Sequence, residues 1–153
     1  MAQSNDALSF NQLEVGREWV SIARVVSAED IENFSTQTGE CTPTEDFETQ
    51  DGVPNSAPGL LGPSIATGLA ANAPPVRTIA FLAIRDWKFL GPIRAGDALR
   101  IRNRVETITP RGVGRRGEVC WRVDIVNQRE EIVQSGFIVT LVEGQAVARR
   151  MAR

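Results

Sequence analysis

The 153-residue chain contains no histidine and no tyrosine, only two cysteines, and a single lysine, Lys88. Each scarcity removes a class of chemistry. Without histidine there is no Ser-His-Asp triad, no Cys-His dyad and no histidine-ligated zinc or iron. Any proton transfer must use carboxylates, Lys88, a cysteine or bound water. Cys41 and Cys120 stand in unlike contexts with no framework spacing, which speaks against a disulfide or a cysteine-based metal site, so both are expected to be reduced thiols. At Cys41 no adjacent cation or histidine lowers the thiol pKa, and a structural cysteine is the expectation there. No apolar run reaches the roughly 18–20 residues of a membrane helix, and the polar opening Met1–Asp6 lacks a charged region followed by an apolar stretch, so no signal peptide is expected. A cytoplasmic protein without membrane contact is expected. The net charge of −2 gives no overall pull toward nucleic acid. Neither a metal nor another cofactor is expected.

What is present suffices for one core. With 42% hydrophobic and 24% charged residues, the chain falls in the range where a single compact domain folds, here 1–153 with polar tails at about 1–9 and 144–153. Arg17–Val26, rich in β-branched and aromatic residues, reads as a first strand. Ser27 stands at an N-cap position with Asp30 three residues on, and Val26 and Ile31 form a hydrophobic staple around it. This predicts a helix over Ala28–Thr38 that Gly39 ends, with Ile31 and Phe34 on one face. Glu40–Pro58 has loop composition and is long enough to be the first place to look for chemistry. Leu60–Ala73 then combines helical spacing with many small residues, between Pro58 and Pro74. Such a helix is one that other backbone approaches closely.

The remainder alternates as strands. Thr78–Leu90 carries the apolar block Ile79–Ile84 and then sets Arg85, Trp87 and Phe89 against Asp86 and Lys88. Leu99, Ile101 and Val105 alternate with Arg100, Arg102 and Arg104; Val119, Trp121, Val123 and Ile125 alternate with Cys120, Arg122 and Asp124; Val133, Phe137, Val139 and Leu141 form the apolar face of a last strand. Arg111–Gly117 and Asn127–Glu131 are hairpin turns. The order is α+β, and a curved antiparallel sheet wrapped around one small-residue helix satisfies it. Its outer stripe of Arg100, Arg102, Arg104, Arg122, Glu118 and Asp124 reads as a solvated face with cross-strand ion pairs, or else as a site for a phosphorylated ligand.

Phe34-Ser-Thr-Gln-Thr-Gly-Glu-Cys-Thr-Pro-Thr-Glu45 resembles the hydratase motif of the MaoC-like (R)-specific enoyl-CoA hydratases, an aromatic residue followed by Gly-Asp-x-Asn-Pro-hydrophobic-His. Gly39 and Pro43 match. Glu40 stands where that family has its catalytic Asp, Thr42 where it has Asn, and Glu45 where it has the catalytic His. Ala57-Pro-Gly-Leu-Leu61 resembles the family's His-Gly-Met-Leu stretch, Trp87–Leu99 its Phe-x-x-Pro-Val-x-x-Gly-Asp-x-Leu stretch, and Asn127-Gln128 with Glu130 or Glu131, Val133 and Gly136 its closing hairpin. The resemblance runs from Phe10 to Val142 and implies a hot-dog fold, a homodimer formed through the sheet, and an acyl-CoA or other acyl thioester lying near the central helix.

In that family the Asp and His activate a water that adds to the enoyl double bond, while a glycine N–H polarises the thioester carbonyl. Gly59 is the matching oxyanion donor, or else simply a flexible residue before the helix. Glu40 and Glu45 are the candidate catalytic pair, since two close carboxylates can divide into base and acid. They also read as part of an acidic loop with Asp46, Glu48 and Asp51, or as ligand contacts without chemistry. Three functions follow: an adapted enoyl-CoA hydratase or dehydratase, a hot-dog thioesterase, and a non-catalytic acyl-thioester binder or silent subunit of a heteromeric hydratase.

Overall fold

The structure, a computed structural model, describes residues 6–40 and 56–145. Within them the sheet runs β1 (Glu18–Val20), β2 (Arg24–Val25), β3 (Thr78–Phe89), β4 (Ala98–Arg111), β5 (Arg116–Val126) and β6 (Ile132–Glu143), with helices α1 (Ala28–Thr38) and α2 (Leu61–Ala70). The spatial order is β1-β4-β5-β6-β3, with β2 also paired to β4, and every pairing is antiparallel. This is the hot-dog fold: a sheet rolled around α2.

Local signals account for α1. Ser27 Oγ accepts the Asp30 N–H and the Asp30 carboxylate accepts the Ser27 N–H, closing the capping box. Val26 and Ile31 are both fully buried, and Gly39 takes the left-handed conformation that ends the helix. The expected helix Leu60–Ala73 is shorter in the structure, Leu61–Ala70, and the next residues form turns held by Ala71 N–H to Gly68 and Ala73 N–H to Ala70. Leu61, Gly62, Pro63, Ile65, Ala66 and Leu69 of α2 are buried. They meet the inward residues of β4 and β5, among them Leu99, Ile101, Val105, Val119, Trp121 and Ile125.

Two strand expectations are corrected. Arg17–Val26 is not one strand but β1 and β2 with a break between them. Ser21 makes the break: its side-chain Oγ, not a main-chain carbonyl, accepts the Ile101 N–H at 2.9 Å. Of the expected β6 face Val133, Phe137, Val139 and Leu141, only Val133 joins the core cluster; the face turned to α2 is Gln134, Gly136, Ile138, Thr140 and Val142, because Ile138 pairs with inward Trp121 and Gly136 with inward Val123. Hydropathy misjudges this strand because three inward positions are polar or small for specific reasons. Thr140 accepts the Trp121 indole N–H, Gly136 leaves room for the Trp87 backbone, and Gln134 reaches the start of α2.

The resemblance-bearing turns are structural devices. Asp97, buried beside left-handed Gly96, accepts the Arg94 N–H at 2.8 Å and the Gln128 side-chain amide at 2.9 Å. Gln128 in turn accepts the Ala98 N–H. Asn127 accepts the N–H groups of Arg129 and Glu131. The entry to β4 is thereby fastened to the β5–β6 hairpin.

Candidate functional site

Gly59 precedes α2, whose first turn carries no side-chain cap. Among the described residues no hydrogen bond is made by the Gly59 N–H. Its carbonyl, by contrast, is held: Gln134 Nε2 donates to Gly59 O at 3.1 Å, and Gln134 Oε1 accepts the Trp87 indole N–H at 3.0 Å. The Gln134 side chain is almost fully buried, and it fits because Gly62 has no Cβ; one built there would overlap the carboxamide. Phe89 closes the other side, its Cε1 3.1 Å from where a Gly59 Cβ would stand. A three-residue chain, Trp87–Gln134–Gly59, thus fixes the orientation of the backbone at the start of α2. An N–H there without a partner among the described residues, reinforced by the helix dipole, is suited to a partial negative charge.

Reading the sequence missed Gln134 and Trp87. Their signal, a polar residue at an inward strand position and a tryptophan opposite Gly136, becomes legible only once the β6 face is known. The simple alternation expected for Arg85–Phe89 also fails. Asp86 adopts φ 48° at a register irregularity between Arg85 and Lys88, which leaves Trp87 packed inward and Phe89 exposed.

Glu40 is exposed just past Gly39, its N–H donating to Thr38 Oγ1 at 3.3 Å. Glu45 and Cys41 lie outside the described residues, as does most of the loop Glu40–Pro58. Gln37 near the end of α1 and Leu61 at the start of α2 line one groove, with Asn33, Phe34, Ser64 and Ile65. Gln37 is three residues from Glu40, and Leu61 two from Gly59.

The arginine stripe is largely neutralised. Arg104 pairs with Glu106 at 3.1 Å and Arg122 with Asp124 at 3.7 Å, both along one strand; Arg111–Glu118 crosses strands at 2.6 Å, and Arg100 meets Glu130. Two of these four pairs therefore lie within a strand, and of the expected cross-strand pairs Arg111–Glu118 joins β4 to β5. The register explains this, since Arg104 lies opposite Arg122 and like charges cannot pair. Cys120 is partly buried on the same outer face, and burial pushes its thiol pKa up, the nearby Arg85 opposing the shift. It stays a protonated thiol at neutral pH. Among the described residues no group of three or more His, Cys, Asp or Glu side chains is placed to hold a metal, and no described helix is long and apolar enough to cross a membrane.

No protein-family model and no curated protein matches the chain. Solved structures do. The monoamine oxidase regulatory protein from Archaeoglobus fulgidus is 25% identical with a TM-score of 0.78, covering 95% of this chain and 100% of that one. A MaoC-like dehydratase from Rhodospirillum rubrum is 24% identical with a TM-score of 0.72, covering 92% and 100%. A Mycobacterium tuberculosis protein described as having a double hot-dog fold is 18% identical with a TM-score of 0.66, and the match takes in 94% of this chain but 46% of that one. The expected resemblance to MaoC-like dehydratases therefore holds for the fold, and one copy of this chain corresponds to about half of the double hot-dog protein.

Proposed function

We propose that this chain, which shares the hot-dog fold of the MaoC-like dehydratases, acts on or binds acyl-CoA thioesters as a homodimer, with the thioester carbonyl at the Gly59 N–H. The observation that carries the reading is the held backbone at the start of α2: a donor with no partner among the described residues, oriented by Gln134 and Trp87. Preorganised donors of this kind stabilise an oxyanion or enolate without having to reorganise during the reaction. Glu40 and Glu45 are the remaining candidates for proton transfer. Glu is a methylene longer than Asp and cannot present imidazole geometry, and a displacement of about 1 Å can cost on the order of a hundredfold in rate. Hydration of short or medium enoyl-CoA is accordingly weak or absent relative to a hydratase carrying Asp and His, since general acid–base groups contribute ~10²–10⁴-fold.

The test is to incubate the protein with enoyl-CoA and with saturated acyl-CoA, following double-bond absorbance and free thiol separately. Loss of the double bond marks a hydratase. Release of thiol marks a thioesterase, and saturable binding with neither marks a silent binder or subunit. If Glu40 and Glu45 form an adapted pair, Glu40→Gln or Glu45→Gln abolishes the residual turnover while fold and dimer persist. Robust hydration that survives both replacements places the active site elsewhere.

A further inference from the structure

The hairpin that joins β4 to β5 carries a side chain the fold does not ask for. Its turn is Gly112-Val113-Gly114-Arg115, with Gly112 at φ 63° and Gly114 at φ 74°, the left-handed region that glycine enters without strain. Between them Val113 is 91% exposed, more than any other large apolar side chain among the described residues. A turn apex ordinarily takes Gly, Asn, Asp or Ser, so neither turn geometry nor packing accounts for an apolar, β-branched residue there. Arg111, Arg115 and Arg116 flank it, all exposed. Arg111 is paired with Glu118. Arg115 and Arg116 have no side-chain partner among the described residues, although Glu143 stands opposite Arg116 in the register. The chain leaves the sheet at the same end, where the Gly144 N–H donates to Arg115 O at 2.8 Å. The residues after Gln145, Ala-Val-Ala-Arg-Arg-Met-Ala-Arg153, add Arg149, Arg150 and Arg153 and no acid.

A cationic end with an apolar apex complements a surface that is anionic outside and apolar beneath. We propose that this hairpin, together with the residues after Gln145, docks the protein peripherally on a bilayer containing anionic phospholipid, with Val113 entering the interface and the arginines meeting the headgroups. Each arginine near such a surface raises affinity about fivefold. The net charge of −2 is an average over the whole chain, and at ~0.1 M salt charges more than about 10 Å away are screened, so this end acts by itself. Nucleic acid is the other polyanion that arginines bind. Single strands, however, are held on exposed aromatic side chains, and the hairpin from Thr107 to Gly117 has none; a duplex backbone gives the valine nothing to enter. The proposal is independent of the thioester reading. Gln134, which holds Gly59, stands opposite Ile125, far along β5 from Arg116 and so about 30 Å away at ~3.3 Å per residue.

The test is sedimentation of the full-length protein with vesicles of phosphatidylcholine, alone or with about one third phosphatidylserine, at ~0.1 M salt. The protein should pellet with the anionic vesicles, stay in solution with the neutral ones, and be released as salt is raised to ~0.5 M. Replacing both Arg115 and Arg116 by serine should weaken the binding about 25-fold. Val113→Ser should weaken it about fivefold. Both variants lie on an exposed turn, and an unchanged circular dichroism spectrum checks that they fold. Failure to bind the anionic vesicles, or binding that is indifferent to Val113→Ser, overturns the proposal. So does tighter binding to a short single-stranded or duplex oligonucleotide than to the vesicles, which assigns the basic end to nucleic acid instead.

Discussion

Two glycines in one helix make opposite demands. At Gly68 an added Cβ meets nothing within 4 Å, so Gly68→Ala removes backbone freedom from the unfolded chain and improves helix propensity. It should stabilise by about 0.5–1 kcal/mol, read as a raised Tm. At Gly62 the same methyl overlaps the Gln134 carboxamide, which cannot swing away without releasing both Gly59 O and Trp87. Gly62→Ala should lower the Tm, by about 1–3 kcal/mol of stability, and weaken any activity or thioester binding that depends on the Gly59 backbone. Both residues looked alike in the sequence, as small members of one helix. Only the identity of the strand residue lying against each one separates them.

Among the elements, α1 was the most legible, because its signals are local. Ser27, Asp30, Val26, Ile31 and Gly39 lie within 14 positions and each is present in its expected role. Removing the cap by Ser27→Ala should cost about 1 kcal/mol, seen in denaturant unfolding. The backbone hydrogen bond from Ser27 holds the Asp30 carboxyl below its ordinary pKa, with Arg24 assisting and partial desolvation opposing. A depressed folded pKa adds stability that is present above the unfolded value and is lost as pH falls through the folded one. Asp30→Asn should therefore be less stable than the parent at pH 7, with the gap closing as pH falls below the ordinary carboxylate range; a gap that persists in acid contradicts the assignment. The strand β6 was the least legible element. Its inward face is set by pairing with β5, and both of its faces carry enough apolar side chains for hydropathy to favour the wrong one.

For the molecule as a whole, β3 is the feature left unfinished. It pairs with β6 on one side only and stands at the sheet edge. Ile79, Phe81, Leu82 and Ile84 are each about half exposed, so this edge strand is apolar and open. A long apolar edge is a liability unless something covers it, and a second copy is the proposed cover. Light scattering at micromolar concentration should give twice the chain mass. Ile84→Lys should give the chain mass with an unchanged circular dichroism spectrum, and a monomeric parent would count against a shared thioester site.

The sequence by itself determined what depends on neighbours along the chain: the capped helix, the two hairpin turns, the Gly96–Asp97 turn, the small-residue helix and the alternation of β4 and β5. From these a curved antiparallel sheet around that helix followed, and the resemblance to the MaoC-like hydratases implied the hot-dog fold. The sequence also delimited the chemistry, because the absence of histidine is a fact of composition that no folding alters. The tertiary structure alone decided which face of β6 turns inward, where Ser21 interrupts the first strand, that Gln134 and Trp87 hold the Gly59 backbone, and that the Asn103 side-chain amide reaches Ala73 O. Each of these depends on residues brought together from distant strands. Cross-strand register determines which side chains meet, and hydropathy, which ranks residues one at a time, does not encode it.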